Sequence, residues 1–273
     1  MEAKGMTLEP KKVRVGHLAD FKSQSRKIVC LTSYDSLTAG IFDEAGIDVL
    51  LVGDSAADNA LGYSTTIPIT VDEMIPFGRA IASSVSRALT VIDMPFGSYE
   101  ESPELALQNA IKLIKNSGCE SVKLEGGTRS SAQIKRIVEA GIPVMGHIGF
   151  TPQSVNGLSG FKVQGRGEDA KRLIEDALAV QEAGAFAVVL ELVPAELAAE
   201  ISQMLRIPTI GIGAGSGTDG QILVWTDFAG LTGHKPRKFV KRYLEMRQQL
   251  AAAAREYAED VREVRFPNAD QSF

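Results

Sequence analysis

The stretch Ile47-Asp48-Val49-Leu50-Leu51-Val52-Gly53-Asp54-Ser55 decides the reading of the chain. Four apolar residues in a row run into a glycine, then a carboxylate and a hydroxyl. A short continuous apolar run closed by glycine fits a strand buried on both faces. The polar pair then stands where the strand ends. The pattern recurs down the chain. Leu89-Thr90-Val91-Ile92 ends in Asp93, and Ser121-Val122-Lys123-Leu124 in Glu125. Pro143-Val144-Met145-Gly146 ends in His147, and Ala187-Val188-Val189-Leu190 in Glu191. Parallel strands present their C-terminal ends at one face, so these groups share a rim.

Between the runs lie helix signals. Ser36 offers an N-cap for a helix to about Ala45, and Gly46 stops it. Thr70 with Glu73 three residues on forms a capping box. Ser102-Pro103-Glu104 starts another helix with proline in its first turn. Further helices are expected over residues 131–140, 168–183 and 194–205. Val13 to Lys22 reads as a short leading helix. Ile28-Val29-Cys30-Leu31-Thr32 is the first strand. Ile207-Pro208-Thr209-Ile210-Gly211-Ile212-Gly213 is the seventh, and Ile222-Leu223-Val224-Trp225 a weak eighth. A long helix from about Arg237 to Val264 closes the chain. Strand and helix alternate about eight times without a break in composition, which implies a parallel sheet. Eight units favour a closed (β/α)₈ barrel, one domain spanning 1–273 with a short N-terminal extension and the long C-terminal helix. An open doubly wound sheet is the alternative. Two longer loops, residues 56–68 and 148–167, have the length of functional segments.

Composition narrows the function. The 273 residues carry a formal net charge of −5 without a dense basic stripe, which argues against nucleic acid. No apolar run approaches the ~20 residues of a membrane span. Residues 1–12 are polar, read as loose, and lack the apolar core of a signal peptide, so the cytoplasm is the expected compartment. Cys30 and Cys119 sit in apolar surroundings and read as buried free thiols.

Asp54, Asp93 and Glu125 end successive strands and can share one hard cation; magnesium takes such oxygen ligands. Helix capping or pairing with lysine is the competing role. Lys123 and Glu125 are two apart on one strand and point to one face, the barrel interior. An inward lysine is costly unless it meets an anion, such as an anionic substrate or a neighbouring acid. His147 can donate a hydrogen bond to substrate or act as an acid. His17 and His234 receive no role. Glu191 lies among Leu190, Leu192 and Val193, whose apolar walls suit a general base; its alternative is to cap the helix at Pro194. Gly211, Gly213, Gly215 and Gly217 are not followed by Lys-Ser or Lys-Thr and are no P-loop.

A family resemblance rests on several of these segments together. They include Val52-Gly53-Asp54-Ser55, Gly62-Tyr63-Ser64-Thr65-Thr66, Asp93-Met94-Pro95-Phe96 and Val122-Lys123-Leu124-Glu125-Gly126-Gly127. Gly146-His147-Ile148-Gly149-Phe150-Thr151-Pro152-Gln153-Ser154, Val163-Gln164-Gly165-Arg166-Gly167, Leu190-Glu191-Leu192-Val193-Pro194 and Gly211-Ile212-Gly213-Ala214-Gly215 complete the set. The chain resembles the ketopantoate (3-methyl-2-oxobutanoate) hydroxymethyltransferases from about Thr7 to Phe273. The resemblance implies a (β/α)₈ barrel of the phosphoenolpyruvate/pyruvate type, magnesium, and assembly as a homodecamer. It implies one-carbon transfer from 5,10-methylenetetrahydrofolate to 3-methyl-2-oxobutanoate, giving 2-dehydropantoate for pantothenate synthesis. By motif position it implies Asp54 and Asp93 as direct metal ligands, with Glu125 in the metal site. Asp54, Ser55, Asp93 and Lys123 would contact the keto acid, and Glu191 would accept the proton. The chain departs from the family pattern at Ala56-Ala57-Asp58-Asn59 and at Asp270-Gln271-Ser272-Phe273. A magnesium-dependent carbon–carbon lyase of the same superfamily and a non-catalytic keto-acid sensor are the competing functions.

Overall fold

A computed structural model describes residues 11–158, 160–233 and 235–273. Residues 1–10, most of the segment expected to be loose, and His234 lie outside the described residues. Lys12, at the end of that segment, is tied down: its ammonium lies 2.8 Å from Glu120 and donates to Ala88 O. The chain falls into two compact units, one ending at Leu223 and one beginning at Val224.

The first unit is a closed barrel of eight parallel strands, each paired with the next in sequence and the last with the first. The strands are β1 (Ile28–Thr32), β2 (Val49–Val52), β3 (Leu89–Asp93), β4 (Ser121–Glu125), β5 (Val144–Gly149), β6 (Ala187–Glu191), β7 (Thr209–Ile212) and β8 (Gly220–Leu223). Every residue of β2, β3, β4 and β6 is buried. That is why these strands read as unbroken apolar runs: barrel interior and covering helices remove both faces from water. Closure settles the choice between barrel and open sheet. The eighth strand begins two residues earlier than expected, at Gly220, whose bare backbone packs against Ile28; an added Cβ would lie 2.5 Å from Ile28 O.

Local chemistry explains the helix starts. Thr70 accepts from Glu73 N while Glu73 accepts from Thr70 N, so the capping box forms and Val71–Ala82 is helical. Ser102 caps Pro103–Ser117, which stops at Gly118 with φ 80°. The helix Ser36–Glu44 is capped by Asp35 rather than Ser36. One Asp35 oxygen accepts from Leu37 N and Thr38 N, both at 2.9 Å, two orphan donors that a serine one residue later does not meet. The stretch that departs from the family pattern folds as one helical turn, Ala56–Asn59. Cys30 and Cys119 are buried and free.

The second unit holds a short helix, Trp225–Phe228, and a long one, Met246–Arg262. The long helix starts at Met246, not near Arg237. Backbone bonds divert the chain before it: Tyr243 N donates to Phe228 O at 2.9 Å and Met246 N to Ala229 O at 3.0 Å. The Tyr243 and Phe228 rings stack with centroids 5.0 Å apart. None of the long helix's side chains is buried. No helix among the described residues is long and apolar enough to cross a membrane.

Candidate active site

Asp54 follows β2, Asp93 and Glu125 end β3 and β4, His147 lies late in β5, and Glu191 ends β6. Register aligns them in the wall, with Asp93 opposite Lys123 and Glu125 opposite His147. All six side chains, Lys123 included, are buried.

They form one line of contacts. Asp54 N donates to Asp93 Oδ2 at 2.9 Å. Lys123 Nζ lies 2.8 Å from Asp93 Oδ1. Lys123 Nζ is 3.4 Å from His147 Nδ1, which lies 3.5 Å from Glu125 Oε1. On its other edge, His147 Nε2 stands 3.2 Å from Glu191 Oε2. The sequence reading thus placed these residues at one rim, and the fold brings them into contact. Ser55 joins through its neighbour Asp54, and its hydroxyl lies 2.7 Å from the Tyr34 hydroxyl. Beside the apolar neighbours Leu190, Leu192 and Val193, Glu191 meets the His147 imidazole.

Two glycines make the rim possible. A Cβ on Gly53 would come 2.8 Å from Ser55 Oγ. At Gly149, with φ +91°, a Cβ would lie 2.3 Å from Glu191 O. Phe150 N instead donates to that oxygen at 2.8 Å, which pins the end of β6. Leu192 follows with φ 50°, a left-handed turn costing about 1–3 kcal/mol that takes the chain sharply away after the carboxylate.

Electrostatics follow from packing like charges without water. Burial, then the neighbouring Asp93 and Glu125 carboxylates, push Asp54 up to about 8 despite Lys123 and a hydrogen bond from Gln153. Burial opposes charge on Lys123, but Asp93, Asp54 and Glu125 outweigh it and raise its pKa. Burial and Lys123 also oppose charge on His147, yet Glu125 and Glu191 carry it up to about 9. A charged ring has no lone pair at Nδ1, so the Lys123 contact is a close approach of two cations rather than a donated hydrogen bond.

A hard divalent cation fits this charge pattern. The donors are carboxylate oxygens, and the buried Asp93 Oδ1 accepts no hydrogen bond despite its nearby ammonium. Among the described residues, no three His, Cys, Asp or Glu side chains are grouped to enclose a metal. Magnesium does not need such a cage, since it commonly takes one or two carboxylates and completes its shell with water and substrate.

Three residues escape the sequence reading. Gln153 Nε2 donates to Asp54 Oδ2 at 2.8 Å and to Met94 O at 3.0 Å, and Gln153 N to Glu125 Oε2 at 3.1 Å. Tyr99 OH donates to Gln153 Oε1 at 2.6 Å and accepts from Glu125 N at 3.2 Å. Tyr34 completes the set. All three are neutral loop residues, without the charge after an apolar run that marks the others.

Comparison with known proteins shows the family of the chain. The family described as Ketopantoate hydroxymethyltransferase matches residues 12–269. A 3-methyl-2-oxobutanoate hydroxymethyltransferase of Leifsonia xyli subsp. xyli is 57% identical, covering 97% of this chain and 95% of the relative. The protein of that name from Acidothermus cellulolyticus is also 57% identical, covering 97% of each. Among solved structures, 2,3-dimethylmalate lyase, a PEP mutase/isocitrate lyase superfamily member, superposes with a TM-score of 0.60 over 95% of this chain and 91% of its own. Its 17% identity carries the fold alone.

Proposed function

Because the chain belongs to the ketopantoate hydroxymethyltransferase family, we propose that its ring of buried acids binds 3-methyl-2-oxobutanoate and adds a hydroxymethyl group to it. The activity is that of relatives 55–57% identical over nearly the whole chain, each named 3-methyl-2-oxobutanoate hydroxymethyltransferase. In this reading the donor is 5,10-methylenetetrahydrofolate and the product 2-dehydropantoate, on the way to pantothenate. A homodecamer working in the cytoplasm belongs to the same reading and rests on family resemblance.

One observation supports the mechanism: Glu191 on β6 is joined through His147 to Glu125 on β4, the near end of an acid set that runs on to Asp54 after β2, across the ring from β6. Enolisation needs a base on one side of the keto acid and an electrophile on the other. Magnesium, held by Asp54 and Asp93 with Glu125 beside them, would supply Lewis-acid polarisation of the keto oxygen. Lys123, a buried ammonium among carboxylates, anchors the substrate's carboxylate. Ser55, aimed by Tyr34, offers it a hydroxyl. Glu191 takes the proton from the carbon beside the ketone, and His147 holds that carboxylate in place. The electron pair left on carbon forms the new bond to the folate methylene as both of its C–N bonds break; water supplies the hydroxyl, and the proton taken from carbon and the one from water end on the two folate nitrogens. A positioned base contributes roughly 10²–10⁴-fold.

The test is proton exchange at that carbon in deuterated water, followed by NMR. Exchange that needs magnesium but not folate, with 2-dehydropantoate formed only when the folate is added, supports the reading. A chain that cleaves keto acids without folate, or never exchanges the proton, overturns it.

A further inference from the structure

Gln153 sits in a short 3₁₀ turn, Pro152–Ser154, just beyond β5, yet reaches the ends of three other strands. Its side-chain amide donates to Asp54 after β2 and to the carbonyl of Met94, the residue after β3. Its backbone amide donates to Glu125 at the end of β4. β2, β3 and β4 are consecutive neighbours in the barrel wall, so one residue spans the arc that carries all three acids.

The amide has one possible orientation. Met94 O can only accept, so it requires the NH₂ end, and Asp54 Oδ2 accepts from the same group. The oxygen end then faces Tyr99, whose hydroxyl receives Glu125 N and keeps its proton for Gln153 Oε1. Both side chains are buried, at 4% and 2% exposure, so no water competes for these bonds. Tyr99 thus joins the Gln153 side chain to the Glu125 backbone, while Gln153 N reaches the Glu125 side chain.

We propose that Gln153, locked by Tyr99, is a positioning residue that fixes the separation of the Asp54 and Glu125 carboxylates for a divalent cation. The inference deepens the metal reading given above and rests on it. One residue ties the two carboxyl groups together, its side-chain amide donating to Asp54 and its backbone amide to Glu125, and so holds both at set positions. Partners of this kind typically change metal affinity by roughly 10–100-fold when removed.

The experiment measures Mn²⁺ alone, by electron paramagnetic resonance, binding to the full chain and to Gln153→Leu, Tyr99→Phe and the double variant. Melting temperature and circular dichroism are recorded for each. Wild type should bind. Gln153→Leu, with an unchanged spectrum, should bind roughly 10–100-fold more weakly. Tyr99→Phe should lose less, and should lose nothing further once Gln153 is gone, because the two act as a unit. Equal Mn²⁺ affinity in folded Gln153→Leu, or losses that simply add, overturns the inference. If Gln153→Leu does not fold, Tyr99→Phe decides alone, and wild-type affinity there overturns it. A wild-type chain that binds no Mn²⁺ overturns the metal reading and this inference with it.

Discussion

His147 Nε2 stands 3.2 Å from Glu191 Oε2 while its other ring nitrogen lies 3.5 Å from Glu125 Oε1. One imidazole thus touches both the carboxylate proposed as base and a carboxylate of the proposed cation site. Substrate chemistry has to happen around that bridge.

Glu191→Gln keeps the volume and removes the base. Keto-acid and magnesium binding should persist, and exchange at the carbon beside the ketone should fall roughly 10²–10⁴-fold. NMR in deuterated water reads the rate. Unchanged exchange in the folded variant would move the role to His147. If Glu191 merely capped the following helix, stability would drop and exchange per folded molecule would not.

Asp54 keeps its proton up to about pH 8 in the metal-free chain. Cation binding needs the carboxylate, so it should expel that proton and tighten as pH rises toward 8. Calorimetry of magnesium binding at pH 7, in two buffers of different ionisation heat, counts the protons. No proton release would remove Asp54 from the ligand set. Asp54→Ala and Asp93→Ala should fold and lose metal-dependent keto-acid binding. Because a raised acid pKa costs stability as pH rises from the ordinary value through the folded one, Asp54→Ala should also flatten that loss in metal-free protein.

Lys123→Met should weaken keto-acid binding and destabilise the barrel by about 3–5 kcal/mol, since Asp93 is left buried without its ammonium. Adding Asp93→Asn should recover part of the stability and none of the binding. Urea unfolding and keto-acid titration separate the two effects. If the single variant binds keto acid as tightly as wild type, Lys123 is structural only.

The folded His147 value, about 9, lies above its ordinary 6.5. Its contribution to stability is therefore full below about pH 6.5 and is lost as pH rises through 9. In metal-free protein, wild type should lose more stability than His147→Gln across that window, read as melting temperature against pH. Asp54 slopes the same way at lower pH but is common to both proteins, so the difference isolates His147. Parallel curves would show that the ring is neutral.

The wall and most of the rim are legible in the sequence because a charge after an apolar run is a costly thing to bury without purpose. Asp93, Lys123 and Glu191 announce themselves that way. Gln153, Tyr99 and Tyr34 do not. Each is an uncharged loop residue whose role comes from a partner on another element, as Gln153 meets Asp54 and Tyr34 meets Ser55. The start of the last helix escaped for a related reason. The segment at 237–245 has helical composition, but the carbonyls of Phe228 and Ala229 take up Tyr243 N and Met246 N. Asp35 displaced Ser36 as a cap because a carboxylate satisfies two amides at once.

Gly149 has a consequence for anyone reshaping this enzyme. The place of Glu191, the carboxylate proposed as base, is fixed by main chain against main chain, β5 against β6, with no room for even a methyl group. No repacking of side chains elsewhere can restore it once lost. A saturation library at position 149 should return glycine alone. The seam between the two strands sets a boundary that redesign of the pocket has to respect.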